Sequence, residues 1–219
     1  MTEDTALQTA CRGGHYDIAE LLLYHGADIA VNWKNGNGCT ALGDACRKGH
    51  RDIVELLLDH GANIEITNPK FTNLMFSCLC GHTSTTKLLL DRGASTYVRN
   101  LFGDSALHIA CWSGGNISIV KLLLEHGCDI NAVDSRYSNS PLHVACSNGH
   151  TQIVEELVAR GADITLKNRD GQTPFFLSKK RNYHGISDLL TTEERGGKER
   201  SNTACNRFGP ECTGILHYG

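Results

Sequence analysis

The sequence predicts an all-α solenoid of stacked helix–turn–helix units, and three observations predict it. A short motif led by Ser or Thr occurs five times and then once in shortened form: Thr-Ala-Leu-Gln (5–8), Thr-Ala-Leu-Gly (40–43), Thr-Asn-Leu-Met (72–75), Ser-Ala-Leu-His (105–108), Ser-Pro-Leu-His (140–143) and Thr-Pro-Phe-Phe (173–176). An apolar stripe at helical spacing follows each motif. Five cysteines, Cys11, Cys46, Cys78, Cys111 and Cys146, recur 35, 32, 33 and 35 residues apart. Self-similarity at a fixed period is the signature of a repeat architecture.

Each element of the unit has its own reason. The leading Ser or Thr accepts the free N–H groups of a helix start, and the Pro of the fifth and sixth motifs suits the first helical position. A helix of about two turns results. A Gly-His turn generally follows, at Gly14-His15, Gly49-His50, Gly81-His82 and Gly149-His150. A second helix then carries the stripe, as in Ile53-Val54 with Leu56-Leu57-Leu58. It stops at Gly26, Gly61, Gly93, Gly127 or Gly161, where a left-handed residue closes it. The interval from opening Ser/Thr to closing Gly is 21 residues in four units and 22 in the fourth, with the extra residue at or near Gly115. No such helix pair buries its apolar face alone, so the units stack into a ladder with one continuous core. The repeated cysteines follow small residues in these helices and are expected to pack inside it.

The motifs in this order resemble the ankyrin repeat, whose period is about 33 residues with a T-P-L-H-x-A signature. The resemblance covers roughly residues 1–190 and implies units at about 1–34, 35–67, 68–100, 101–134 and 135–167, with a cap at 168–190. It also implies β-hairpin-like fingers along one edge, which form with the short helices a concave face that binds protein. The first unit lacks a finger of its own, so either the chain starts there or it is a piece of something longer. Residues 191–219 hold few apolar side chains, and such a segment is expected to be a disordered tail.

Carried onto this chain, the family's contact positions are the finger tips and the end of each short helix. They hold Arg12 in unit one and Asn37, Cys39, Arg47 and Lys48 in unit two. Unit three contributes Pro69, Phe71, Leu79 and Cys80, and unit four Leu101, Phe102, Asp104, Trp112 and Ser113. Unit five contributes Arg136, Tyr137, Asn139, Ser147 and Asn148. Basic residues lead and aromatics follow. Exposed aromatics and arginine are what interface hot spots are made of. The expectation is an aromatic anchor in units three to five, with Arg12, Arg47 and Lys48 steering the partner. The resemblance also makes Asn131 a candidate for asparaginyl hydroxylation. Unit three departs from the pattern, with Lys70 at a finger glycine, Met75 for the tetrad histidine and Thr85-Thr86 for Ile-Val. It is expected to be the weakest junction.

Composition and motifs narrow the function classes. With 21 Lys+Arg against 24 Asp+Glu, there is no electrostatic case for nucleic acid or an anionic membrane. No apolar run reaches the ~18 residues of a membrane span, and Met1-Thr2-Glu3-Asp4-Thr5 is too polar for a signal peptide. The patterned cysteines read as thiols of a reducing compartment. The chain is therefore expected in the cytoplasm; Lys179-Lys180-Arg181 reads as a solvated face, with nuclear import as the other reading. Nine of the eleven histidines sit at repeat positions, a repeat apart, and do not converge as a zinc site requires. Metal and cofactor are not expected. Nucleophile-elbow, zincin, phosphate-loop and kinase motifs are all missing, and a repeat surface is shallow. The expected function is a monomeric, non-catalytic module that binds another protein. The alternatives are an inhibitor covering an enzyme's surface, or the targeting region of a larger kinase or ubiquitin ligase.

Overall fold

A computed structural model describes residues 4–192, apart from Thr67, Pro69 and Gly115 and the side chains of Asp28 and Ile29. The expected extra residue, Gly115, and the expected contact residue Pro69 thus lie outside the described residues, as do residues 193–219 of the expected tail.

Helices pair in sequence order. The inner, shorter row is α1 (Ala6–Gly13), α3 (Ala41–Lys48), α5 (Asn73–Leu79), α7 (Ala106–Trp112), α9 (Pro141–Asn148) and α11 (Pro174–Lys180). The outer row is α2 (Tyr16–Tyr24), α4 (Arg51–Asp59), α6 (Thr83–Asp91), α8 (Ile117–Glu125) and α10 (Thr151–Ala159). The sixth unit's outer helix is described from residue 184 to 192, so Thr191 and Thr192, expected in the tail, are helical. A 3-10 turn at Ala27–Ala30 follows α2. Each inner helix from α1 to α9 packs on the next inner helix and on its own outer partner.

The start and stop signals operate as the residues dictate. Thr5, Thr40, Thr72, Ser105, Ser140 and Thr173 each accept the backbone N–H three residues on. Gly26, Gly61, Gly93, Gly127 and Gly161 all have positive φ. The fingers close as tight turns, for instance with Asn35 N–H donating to the Cys39 carbonyl (3.0 Å) and Asn100 N–H to the Asp104 carbonyl (3.0 Å). They are hairpin-like in these turn bonds; among the described residues no extended strand is assigned.

One apolar core runs the length of the array, and the five repeated cysteines are all buried in it. Burial pushes the thiols of Cys11, Cys78 and Cys146 up to about 12. The tetrad residue also ties one unit to the next. In unit four the Ser105 N–H donates to His108 Nδ1, so the ring proton sits on Nε2, which donates to the Asn139 carbonyl at 3.0 Å. His143 does the same to Gln172 (3.0 Å), and Gln8 imitates it with its amide on the Cys39 carbonyl (2.8 Å). Gly43 and Met75 have no polar side-chain atom to offer, so two of the five junctions lack this tie.

Unit three carries a compensation that the sequence reading overlooked. Thr86 Oγ1 donates to Ser77 Oγ at 2.9 Å, and both side chains are buried. Ser77 stands where Ala10, Ala45, Ala110 and Ala145 stand elsewhere, so two polar replacements satisfy one another. The sixth unit repeats the device, with Ser178 Oγ 2.9 Å from Ser187 Oγ. Thr85 Oγ1 remains buried without a partner. Breaking the pair with Ser77→Ala is expected to cost about 1 kcal/mol. Ser77→Ala/Thr86→Val, which restores the apolar pair of unit two, is expected to be no less stable than the parent; urea denaturation of the three proteins measures both.

Candidate functional site

The concave face is floored by one residue per inner helix, the one after the tetrad: Thr9, Asp44, Phe76, Ile109, Val144 and Leu177. This row changes from polar to apolar between units two and three. Two grooves result, and Phe71 lines both.

The first groove, about 290 Å³, is lined by Asp4, Arg12, Asn35, Asp44 and Arg47 among others. Four of its charges cancel locally, while Lys70, also on the lining, is exposed. Asp44, almost fully buried, receives Arg12 Nη2 at 2.7 Å and Arg47 Nη2 at 3.0 Å. Asp4 receives Arg12 Nη1 at 2.8 Å and Asn35 Nδ2 at 2.7 Å. Hydrogen bonds from Arg12 and then Asn35 hold the Asp4 carboxyl below its usual range. The same two carboxylates hold the Arg12 guanidinium above its ordinary value. Arg12 and Arg47 do lie side by side as the repeat spacing predicts, but their charge is already met. Lys48 is exposed.

The second groove, about 320 Å³, is lined by Phe71, Asn100, Phe102, Asp104, His108, Ile109, Trp112, Arg136 and Val144. Its walls come from the fingers of units three to five and its floor from α7 and α9. Trp112 is exposed at the end of α7, where a polar residue would be the ordinary choice for solvent. Phe71 packs against Phe76, with ring centroids 5.4 Å apart. Arg136 lies over the Phe102 ring, its guanidinium carbon 4.3 Å from the centroid, a cation–π stack that fixes both side chains. No carboxylate pairs with Arg136 among the described residues. Asp104 faces the same groove and accepts from Asn100 Nδ2 at 3.0 Å.

The remaining expected contact residues divide. Leu101 and Tyr137 are exposed on their finger tips, and the Tyr137 carbonyl accepts from Arg169 N–H at 2.7 Å. Leu79 packs against the core. Asn139 is engaged in the scaffold: its side-chain oxygen accepts from Asn168 Nδ2 and its carbonyl from His108. Asn148 donates to the Val144 carbonyl within its own helix. Asn131 is exposed, and its side-chain oxygen accepts the Asp163 N–H of the next unit at 2.9 Å. The floor residues Ile109 and Val144 were missed by the family positions. Their signal was there: each follows its tetrad directly, at the position that Asp44 holds in unit two and Phe76 in unit three. Among the described residues, no three His, Cys, Asp or Glu side chains gather as a metal set, and no helix is long and apolar enough to cross a membrane.

Family models described as ankyrin repeats match residues 2–68 and 66–134, in the three-copy form, and 135–175, in the many-copy form. The chain is 44% identical over 72 residues to human protein phosphatase 1 regulatory subunit 27, covering 33% of this chain and 46% of that protein. It is 33% identical over 113 residues to the mouse B-cell lymphoma 3 protein homolog, covering 52% of this chain and 24% of that one. A putative ankyrin repeat protein of Acanthamoeba polyphaga mimivirus is 33% identical over 97 residues, covering 43% of this chain and 13% of its own length. The chain thus spans less than half of each of these relatives. With the models covering most of the array, the helix pairs stacked in order and the capped tetrads in place, the chain belongs to the ankyrin-repeat family, a general protein-interaction module.

Proposed function

We propose that this chain holds a partner protein, without catalysis, through the groove of units three to five. One observation carries the reading: Trp112 is exposed over a groove whose lining gathers Phe71, Phe102, Ile109 and Val144, with Asn100, Asp104, His108 and Arg136 as its polar part. An exposed apolar concavity in a polar surface gains most when a partner's apolar side chain fills it. Arg136 is held over Phe102 before any partner arrives, so little side-chain entropy remains to be lost there. Its guanidinium edge is available to a carboxylate or carbonyl of the bound segment. The neutralised Arg12 and Arg47 make the polar groove a flank of the interface and not its source of attraction.

The test is affinity capture from lysate of the source cells, comparing the parent with Phe102→Ala/Trp112→Ala/Tyr137→Ala of equal helicity. A specific partner is expected to be lost at least about tenfold from the variant. Equal recovery of every protein by both would overturn the reading. Lys48→Ala in parallel is expected to leave capture unchanged, since Lys48 is exposed and lines neither groove.

A further inference from the structure

The net charge of -3 hides a division between the two sides of the array. The outer helices α2, α4, α6, α8 and α10 hold nine acidic residues and three basic ones. The fingers reverse this. Taken from the residue before each turn's Asn or Asp to the residue before the next cap (34–39, 67–71, 99–104, 133–139 and 167–172), they hold six basic residues and three acidic ones. One of those acids, Asp134, is buried, and its carboxylate accepts the N–H groups of Arg136, Tyr137 and Asn139. The surplus positive charge thus lies along the edge of the concave face, where it acts on an approaching partner.

Not every finger cation is open to that partner. Arg99 donates from Nη1 to the Gly103 carbonyl at 3.0 Å and to the Val133 carbonyl at 2.8 Å, and Arg169 from Nη2 to the Ser135 carbonyl at 3.0 Å. These two brace the fingers. Arg136 and Lys70 differ, since both are exposed and neither forms an ion pair among the described residues. Lys70 directly precedes Phe71, the ring that lines both grooves, and Arg136 is stacked on Phe102. Two aromatic walls of the apolar groove therefore each have a cation beside them.

Asp104, on the same lining, would suit a cation instead, and the aromatic rings would add to that attraction. The stack decides between the two. A ligand cation would approach Phe102 beside a guanidinium whose carbon is 4.3 Å from the ring centroid, and like charges there repel. Asp104 already accepts from Asn100 Nδ2 at 3.0 Å. His108 adds no charge at neutral pH, because burial lowers its pKa.

We propose that the segment held in this groove is an acidic peptide: an apolar or aromatic anchor seated against Trp112, with Asp or Glu on either side of it to meet Arg136 and Lys70. This rests on the groove being the binding surface, as proposed above, and adds the chemistry of what it takes. The stack holds the face of the Arg136 guanidinium and leaves its N–H edge to pair with a carboxylate.

Selection from a random peptide library displayed on phage, with the full chain as bait, tests the inference. The expected winners carry an apolar or aromatic residue with Asp or Glu within a few positions. By fluorescence anisotropy, a synthetic copy of the strongest is expected to bind Trp112→Ala at least about tenfold more weakly than the parent. Arg136→Glu should weaken it at least about tenfold and Lys70→Glu about threefold, both effects shrinking as salt is raised. The same peptide with its acids replaced by Lys should prefer Arg136→Glu to the parent, a rescue that a misfolded variant would not give. Winners rich in Lys or Arg, winners without charge bias, or a peptide indifferent to Arg136→Glu would each overturn the inference, while a loss in Trp112→Ala would still keep the groove. Displacement of the peptide by single-stranded RNA would overturn it too, by assigning the cations to phosphate. Unchanged affinity in Trp112→Ala would instead overturn the groove itself. If no peptide is enriched, the face takes no linear segment and the inference falls.

Discussion

Gly103→Ala is expected to destabilise the chain by about 3 kcal/mol and to part the fingers of units four and five. The residue sits at φ +79°, where an L side chain costs about 1 kcal/mol of strain. A Cβ there would also meet the backbone nitrogen and Oγ of Ser135. The Ser135 hydroxyl can rotate aside but its backbone nitrogen is held, because its N–H donates to the Phe102 carbonyl at 3.0 Å. Gly127 is the control: its φ is similar, +73°, but nothing lies within 4 Å of the added carbon. Gly127→Ala should therefore show the strain of about 1 kcal/mol alone. The difference between the two denaturation midpoints isolates the clash. Equal midpoints would mean that the fingers yield freely, and the stack of Arg136 on Phe102 would then not be rigid.

Mild acid is expected to be the second large perturbation, acting on units four to six. Burial lowers the pKa of both His108 and His143, against the upward pull of the carbonyls that their Nε2 atoms contact. Protonation at Nδ1 would also set a proton against the Ser105 or Ser140 N–H that now donates to it. The unfolded histidine titrates near about 6.5 and the folded one lower, so the unfolded state binds more protons in between. The stabilisation is thus complete above about pH 6.5 and is lost as pH falls from there through the lowered native values, by at most about 1.4 kcal/mol per pH unit for each histidine. Asp4 and Asp163, held low by hydrogen bonds, respond only in stronger acid. Gln8 shows that an amide at the tetrad can both cap its helix and bond the next finger. His108→Gln/His143→Gln should accordingly flatten the dependence of the urea midpoint between pH 7.5 and 5.5 while keeping the fold. An undiminished slope in that variant would assign the acid sensitivity elsewhere.

The architecture was legible because each signal is local and repeated. A capping Ser or Thr, a closing glycine and an apolar stripe need no knowledge of distant residues, and six copies remove accident. What required coordinates was every effect that joins one helix or finger to another. Arg12 and Arg47 look like a basic edge in the sequence, yet the buried carboxylate between them comes from the floor position of α3. The Thr86 hydroxyl looks like a packing fault until Ser77, on the neighbouring helix, supplies its partner. Phe102 and Arg136 are 34 positions apart, and nothing in either finger alone says that one ring will carry the other's guanidinium. The aromatic groove was anticipated in its main side chains because the family's contact positions are periodic. Its floor, Ile109 and Val144, was not, because those residues are as apolar as the core positions beside them.

The row of buried thiols gives the molecule an internal clock. One cysteine of the repeated position lies in each of the first five units, distinguishable by peptide from Cys39, Cys80 and Cys128, and only its thiolate reacts with an alkylating reagent. In the closed array that species is suppressed twice, by exclusion of the reagent and by thiols pushed up to about 12 at Cys11, Cys78 and Cys146. Each label therefore records the moment when its own unit came apart. The order in which the five sites are modified would read out, with no engineered probe, how disorder travels along the stack.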